Sequence, residues 1–292
     1  VDGSGWIPVP LNLISSGSPL SKLPIDPVNA TSTGNYYTYT PGGSWELTTL
    51  MESSKQKMGG GSDKTSTDGG SYPELYEVGT NLTLLPVDYG DPSLVGYWKF
   101  DEGTGGTAYD ASGHNATGTW SGTGGHWTAS SKTGAYAAIF NGSDDQVVIN
   151  VSSPTEFTKM AWIKPDASQA CSGGVLCDII GPYFHIRRDQ LNLQLYSDSL
   201  VPPGWHSTDN GTITSNQWQH VAATYSNGTL RLYINGVIGK EVSATRTSSF
   251  PNYDIGADGP SSRTFYGSID NVRIYNRALS AAEIQAIYNA GN

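Results

Sequence analysis

The loop Asp110–Gly118, DASGHNATG, sets the oxygen-bearing side chains of Asp110, Ser112, Asn115 and Thr117 within eight positions. A hard cation such as calcium takes about six to eight oxygens from carboxylates, carbonyls and water. A glycine-containing turn can aim backbone carbonyls near Gly113–Asn115 inward while Asp110 supplies charge. The same residues also suit a plain turn in which Asp110 and Ser112 cap the backbone locally. Asp144 and Asp145 are adjacent, so on a strand their side chains point to opposite faces. A solvated turn fits that pair better than shared acid–base work. His126, His185, His206 and His220 are scattered, and no Ser/His/Asp arrangement emerges from them. The string GTGGTA at Gly103–Ala108 lacks the strand–helix setting of a phosphate loop and reads as a turn.

Trp127, Tyr183, Trp205, His206 and Tyr253 fall in or beside predicted loops. Exposed aromatics there would stack on sugar rings, with Trp205, His206 and Tyr183 as the ligand candidates. Core packing is the competing reading, because large aromatics dominate buried contacts. In YSDSLVPPGWHSTDNG (Tyr196–Gly211) the Pro-Pro-Gly turn would hold Trp205 outward. Cys171 and Cys177 enclose SGGVL, where a local disulfide is expected and would imply an oxidising compartment; two reduced thiols are the alternative.

The elements that must position these residues are strands. Charged residues make up 14% of the 292, against the usual ~25%, while glycine and proline together contribute 36 and 16. That profile suits a turn-rich extracellular β protein, and 37% apolar content is ample for a core. With a net charge of −10 and no basic stripe, nucleic acid is not an expected partner. No apolar run approaches the ~18 residues that span a bilayer.

Residues 1–90 and 91–292 differ in texture, with DYGDP (Asp88–Pro92) as the expected linker. In the first, NYYTYT, the turn PGGS and WELTTLMES predict a hairpin. In the second, VGYWKF, AYAAIF, QVVIN, MAWIKP, DIIGPYFHI, LNLQLYS, QHVAATY, LRLYING and IDNVRIY are strand candidates. Asn227-Gly228 and Asn235-Gly236 are tight-hairpin signals. Many short, turn-punctuated strands predict a sandwich. Ser280 and Glu283 are spaced as a capping box that opens one short C-terminal helix, and Ile284, Ile287 and Tyr288 give it an apolar face.

GSIDNVRIYNRALSAAEIQAIYN (Gly267–Asn289), LVGYWKFDEGTGGTAYDASGHNATGTW (Leu94–Trp120) and WQHVAATYSNGTLRLYINGV (Trp218–Val237) together resemble the laminin-G-like, concanavalin A-like jelly rolls. The resemblance implies a β-sandwich and a calcium loop around Asp110, approached by Asp270 of the last strand, with Asn115 and Asp101 as further candidate ligands. It implies binding without turnover. The glucanases on this fold present Glu-x-Asp-x-x-Glu from one strand, and this sequence has no such pattern.

VDGSGWIPV, SPLSKLPIDPVN, NYYTYT with WELTTLMES, and YEVGTNLTLLP resemble the globular head of type IV pilins and pseudopilins. Such heads follow a long apolar helix that this chain does not contain. The helix is therefore expected to have been removed or to sit on a separate short pilin chain, packed on Trp6, Ile7 and Val9. The two resemblances imply a mainly β subunit of a bacterial extracellular filament, partnered by neighbouring subunits and displaying a jelly roll toward a glycan or surface ligand. A soluble glycan-binding module without a polymeric role is the alternative.

Overall fold

A computed structural model describes residues 37–41, 45–50, 55–56, 60–62, 64–65, 75–79 and 91–291, less 92, 153, 168–173, 182, 198–199, 202–203, 247–252 and 260–262. Trp6, Ile7, Val9 and Cys171 lie outside these residues. The chain divides into two compact units, Val1–Asp91 and Pro92–Asn292.

In the first unit the hairpin forms as its sequence dictates. Tyr37–Pro41 pairs antiparallel with Trp45–Leu50, Pro41 opposite Trp45, and Leu75–Gly79 adds a third strand against Trp45–Leu50.

Among the described residues the second unit has two sheets of eight strands and one separate two-stranded pair, Leu200–Val201 with Thr245–Arg246, and every pairing in them is antiparallel. Across the first sheet run Val237–Ser243, Thr229–Ile234, Gln219–Ser226, Phe157–Pro165, Tyr266–Tyr275, Ala137–Asn141 and Trp127–Thr128. Leu94–Trp98 pairs with the far half of Tyr266–Tyr275, so that long strand holds two short partners on one edge. Across the second sheet run Gly204–Ser207, Asn192–Ser197, Phe184–Arg187, Leu176–Gly181, Asp254–Ile255, Gln146–Val148, Gly118–Ser121 and Thr107–Ala108. Period-2 alternation sends Ala161, Ile163 and Val221 from one sheet and Ile179, Phe184, Ile186 and Leu193 from the other into one buried cluster around Trp98, Phe100 and Phe140.

Both Asn-Gly turns take the left-handed backbone that their residues tolerate, with φ of 46° and 76° at Asn227 and Gly228, and 51° and 78° at Asn235 and Gly236. DIIGPYFHI, expected as one strand, is instead two: Leu176–Gly181 and Phe184–Arg187 form a hairpin, and Tyr183 turns the chain at φ 77°. An apolar run read without its Gly-Pro breaker overstates strand length.

The helix Ala281–Ala290 starts at a complete capping box: the Ser280 side chain accepts from Glu283 N, and the Glu283 carboxylate accepts from Ser280 N. Glu283 also receives Arg277 at 2.9 and 3.2 Å. Ile284 and Ile287 are buried, and Tyr288 stacks on Trp162 at 5.5 Å, so the helix covers the outer face of the first sheet. Ser280→Ala should lower stability by about 1 kcal/mol, the usual worth of an N-cap. A urea midpoint unchanged from wild type would show that the cap contributes nothing.

Candidate functional site on the outer face of the second sheet

Three polar residues come into register on the face opposite the core. Asp178 lies beside His185, and His185 beside Gln194, on three adjacent strands. Their chain neighbours Cys177, Ile179, Phe184, Ile186, Leu193 and Leu195 all belong to the core, so alternation forces these three outward. Outward here does not mean solvated: Asp178 and His185 are fully buried. The cover is aromatic. Trp205 sits edge-on to the His185 ring at 5.0 Å between centroids, and Tyr183 lies under the Arg263 guanidinium at 4.9 Å.

Asp178 ties the group together. Its Oδ1 accepts from Tyr183 N at 3.1 Å and lies 3.5 Å from His185 Nδ1. Its Oδ2 lies 3.2 Å from Arg263 Nε, and its own amide donates to the Arg263 carbonyl at 2.8 Å. Arg263 reaches on to Asp258. The distances are those of ion pairs, but Asp178 Oδ2 and His185 Nδ1 complete no aligned hydrogen bond. His185 Nε2 meets Gln194 Oε1 at 3.3 Å. Asp258 arrives because Gly181 has no side chain: a Cβ there would collide with the Ala257 carbonyl. Tyr183 and Arg263, at φ 77° and 50°, hold left-handed backbone that favours glycine. Such outliers in large residues persist only where surrounding contacts over-determine them.

What remains open to solvent is an aromatic platform edged by one ion pair. Trp205 is 44% exposed; the Arg263 and Asp258 side chains are 19% and 23% exposed. Trp205 and Tyr183, both read from the sequence as ligand candidates, therefore share this face. His206 is corrected: it is buried, because it follows Trp205 on a strand and pairs with core-facing Leu195. Burial, with Lys240 nearby, pulls its pKa down. Tyr253 is likewise fully buried, with the Lys159 ammonium 3.7 Å above its ring. The sequence reading missed Asp178, Arg263 and Asp258. A lone carboxylate inside the apolar run CDII was the available signal, since such residues are almost never buried without partners.

The acidic candidates occupy another part of the unit. Asp110 accepts from Tyr97 N, Ser112 N, Ser112 Oγ and Ala116 N at 2.8–2.9 Å, so both its oxygens brace its own loop. These bonds together hold its carboxyl below the usual range despite burial. Asn115, exposed at φ 58°, turns that loop. Asp270 receives Lys132 N and Thr133 N at 2.8 and 3.1 Å, while Asp101 receives Ala135 N and Tyr136 N at 2.7 and 3.2 Å. One loop thus wraps two carboxylates. Burial, with Asp101 adding its charge, pushes Asp270 up to about 6. Among the described residues no group of three His, Cys, Asp or Glu side chains is arranged to hold a metal ion. Cys177 is buried and disulfide-bonded.

Residues 132–285 match the family Laminin_G_3, described as the concanavalin A-like lectin/glucanases superfamily. The chain belongs to that superfamily. No curated protein matches it. Among solved structures, the binding domain of Paraclostridial Mosquitocidal Protein 1 is 18% identical at a TM-score of 0.52, over 68% of this chain and 52% of that one. The botulinum neurotoxin serotype D binding domain is 18% identical at 0.50, again over 68% and 52%. This chain therefore spans about half the length of either toxin domain, and the likeness is one of fold. Domain 4 of AbnA, a GH43 extracellular arabinanase from Geobacillus stearothermophilus, solved with arabinotriose, is 24% identical at 0.49, over 67% of this chain and 98% of that one. The jelly-roll part of the sequence reading is thereby established, as a mainly β sandwich with one short C-terminal helix. The family match lies wholly outside residues 1–90, where the pilin resemblance falls.

Proposed function

We propose that Pro92–Asn292 is a carbohydrate-binding module that holds a saccharide on the outer face of its second sheet and does no chemistry on it. The observation that carries this reading is Trp205, 44% exposed and braced from beneath by buried His185 and Asp178. A rigid, half-exposed indole offers a sugar ring an apolar surface at low entropic cost, and the Arg263–Asp258 pair, linked to it through Asp178 and His185, offers donors and acceptors to hydroxyls. Catalysis finds no support here. Glycoside hydrolysis needs two carboxyl groups flanking the bond in different roles, whereas Asp178 and Asp258 both close on the one Arg263 guanidinium. Membership of the lectin-like superfamily supports the binding reading. Trp205→Ala should weaken retention in a polysaccharide affinity gel at least about fivefold, since losing an aromatic stacking partner removes about 1–3 kcal/mol. Retention unchanged by that substitution would end the proposal.

A calcium ion near Asp101 and Asp270 belongs to the same proposal, with Asp110 and Asn115 shaping their own loop. The burial of Asp270 supports it, because an ionised carboxylate at that depth needs a compensating charge. Without metal, a carboxyl raised from 3.8 to about 6 favours the protonated folded form. Its contribution is therefore present below pH about 4 and is lost as pH rises to about 6. At pH 7 calcium should restore it, raising the melting temperature of chelator-treated protein, with Asp270→Asn abolishing the response. Mass action gives about 2.7 kcal/mol at one hundred times the dissociation constant. Identical melts with calcium and with chelator would remove calcium from the account.

An extracellular setting is proposed with this reading, and disulfide-bonded Cys177 supports it. For Val1–Asp91 the filament-subunit role rests on the sequence resemblance and on its expected hairpin, seen as Tyr37–Pro41 against Trp45–Leu50. Electron microscopy of the native assembly tests it: regular filaments carrying this chain beside a short helical pilin support that role, and an isolated monomer ends it.

A further inference from the structure

We infer that the Trp205 face selects uncharged saccharides and rejects acidic ones, an inference that rests on the carbohydrate-binding reading above. The argument is electrostatic and begins with Arg263. A protein that recognises uronic or sialic acids needs a guanidinium free to meet the sugar carboxylate, preferably in bidentate fashion. Arg263 is not free for it: Asp178 lies 3.2 Å from Nε, and Asp258 takes Nη2. The adjoining strand carries a second arginine, Arg187, whose Nε and Nη2 are spent on Asp189 at 2.8 and 3.1 Å. Asp178, Asp258 and Arg263 leave this patch one negative charge in excess, on a chain whose net charge is −10. A sugar carboxylate drawn from Trp205 toward this cluster would join two aspartates whose shared cation, Arg263, is already engaged, and like charges brought together at an interface are strongly unfavourable.

The hydrogen-bonding inventory points the same way. Asp258, its side chain 23% exposed, is an acceptor-only group at the solvent-facing rim. Ligand groups that meet such acceptors must donate. A neutral sugar presents hydroxyls, which donate and accept, whereas a carboxylate only accepts. The apolar face of an uncharged pyranose or furanose ring also suits the exposed indole without desolvating a charge.

The test is affinity electrophoresis of the full chain in gels containing neutral galactan, mannan or laminarin, or acidic polygalacturonate or alginate. The expected result is Trp205-dependent retardation by at least one neutral polymer, with the acidic polymers at least about tenfold weaker. Two further readouts separate charge from shape. Raising the salt should narrow the gap by screening the aspartates, and Asp258→Asn should raise the ratio of acidic to neutral binding. Acidic polymers held as tightly as neutral ones, with the retardation lost in Trp205→Ala, would overturn the inference and leave the carbohydrate reading standing. A gap that is unmoved by salt and by Asp258→Asn would show that charge does not set it. Failure of every polymer to retard the protein would overturn the reading and the inference together.

Discussion

Asp178→Ala should lower the stability of the second unit by about 3 kcal/mol. The carboxylate is fully buried and meets Tyr183 N, His185 Nδ1 and Arg263 Nε at once. Removing one partner of a buried charge pair typically costs about 3–5 kcal/mol, because the other partner stays desolvated. Arg263 keeps Asp258 and some solvent, which places the effect at the lower end. For a unit of this size the melting transition should fall by roughly 10 °C. Asp178→Asn retains an acceptor and should fall less. The substitution should also weaken saccharide binding, since the aromatic walls lose their common anchor. Calorimetry of the full chain, following the second unit's transition, checks it. A shift within about 2 °C of wild type would mean that the Asp178 cluster does not hold this face together.

The second large effect is an acid sensitivity built around His220. Its strand neighbour Val221 faces the core, so alternation turns His220 to the outer face, against Trp162 at 5.3 Å and Tyr288 of the helix at 6.2 Å. The ring is buried and neither nitrogen has a partner. Burial first, and the Arg273 charge second, drive its pKa from 6.5 down to about 3. The neutral ring is what the fold accommodates. Between those two values the unfolded chain binds the proton more tightly than the folded one, so stability falls as pH drops from about 6.5 to about 3. At 1.36 kcal/mol per pKa unit the full loss is on the order of 5 kcal/mol. His220→Leu carries no proton and should lose stability less steeply, the two diverging by roughly 1.4 kcal/mol per pH unit below 6. Urea unfolding of both proteins at pH 7, 5 and 4 measures this. Parallel pH profiles would show that His220 does not set the acid response.

Elements encoded within a few residues were legible in the chain itself. The capping box of Ser280 and Glu283 formed as written, since its bonds span three positions of one helix turn. The Asn227-Gly228 and Asn235-Gly236 turns formed because their preference for left-handed backbone is local. Trp205 stood out as an aromatic after a Pro-Pro-Gly turn, and it is exposed. The sandwich followed from alternation repeated over many short strands, and the family match over residues 132–285 agrees with it.

What the chain could not announce was which polar residues would meet. Asp178, His185, Gln194 and Trp205 are brought together by the register of four strands, and a register shifted by one residue would send each to the opposite face. Arg263 joins them from a loop 85 positions after Asp178, counted along the chain, and the near-contact of Gly181 with Ala257 carries Asp258 in beside it. His206 shows the same rule in reverse. It is as polar as its neighbours, yet it faces inward because it is one residue past Trp205 on an alternating strand. Local sequence determined turns, cap and strand periodicity because their energies are settled between near neighbours. Tertiary structure decided the site, because burial, ion pairing and exposure arise only when distant strands fix a shared register.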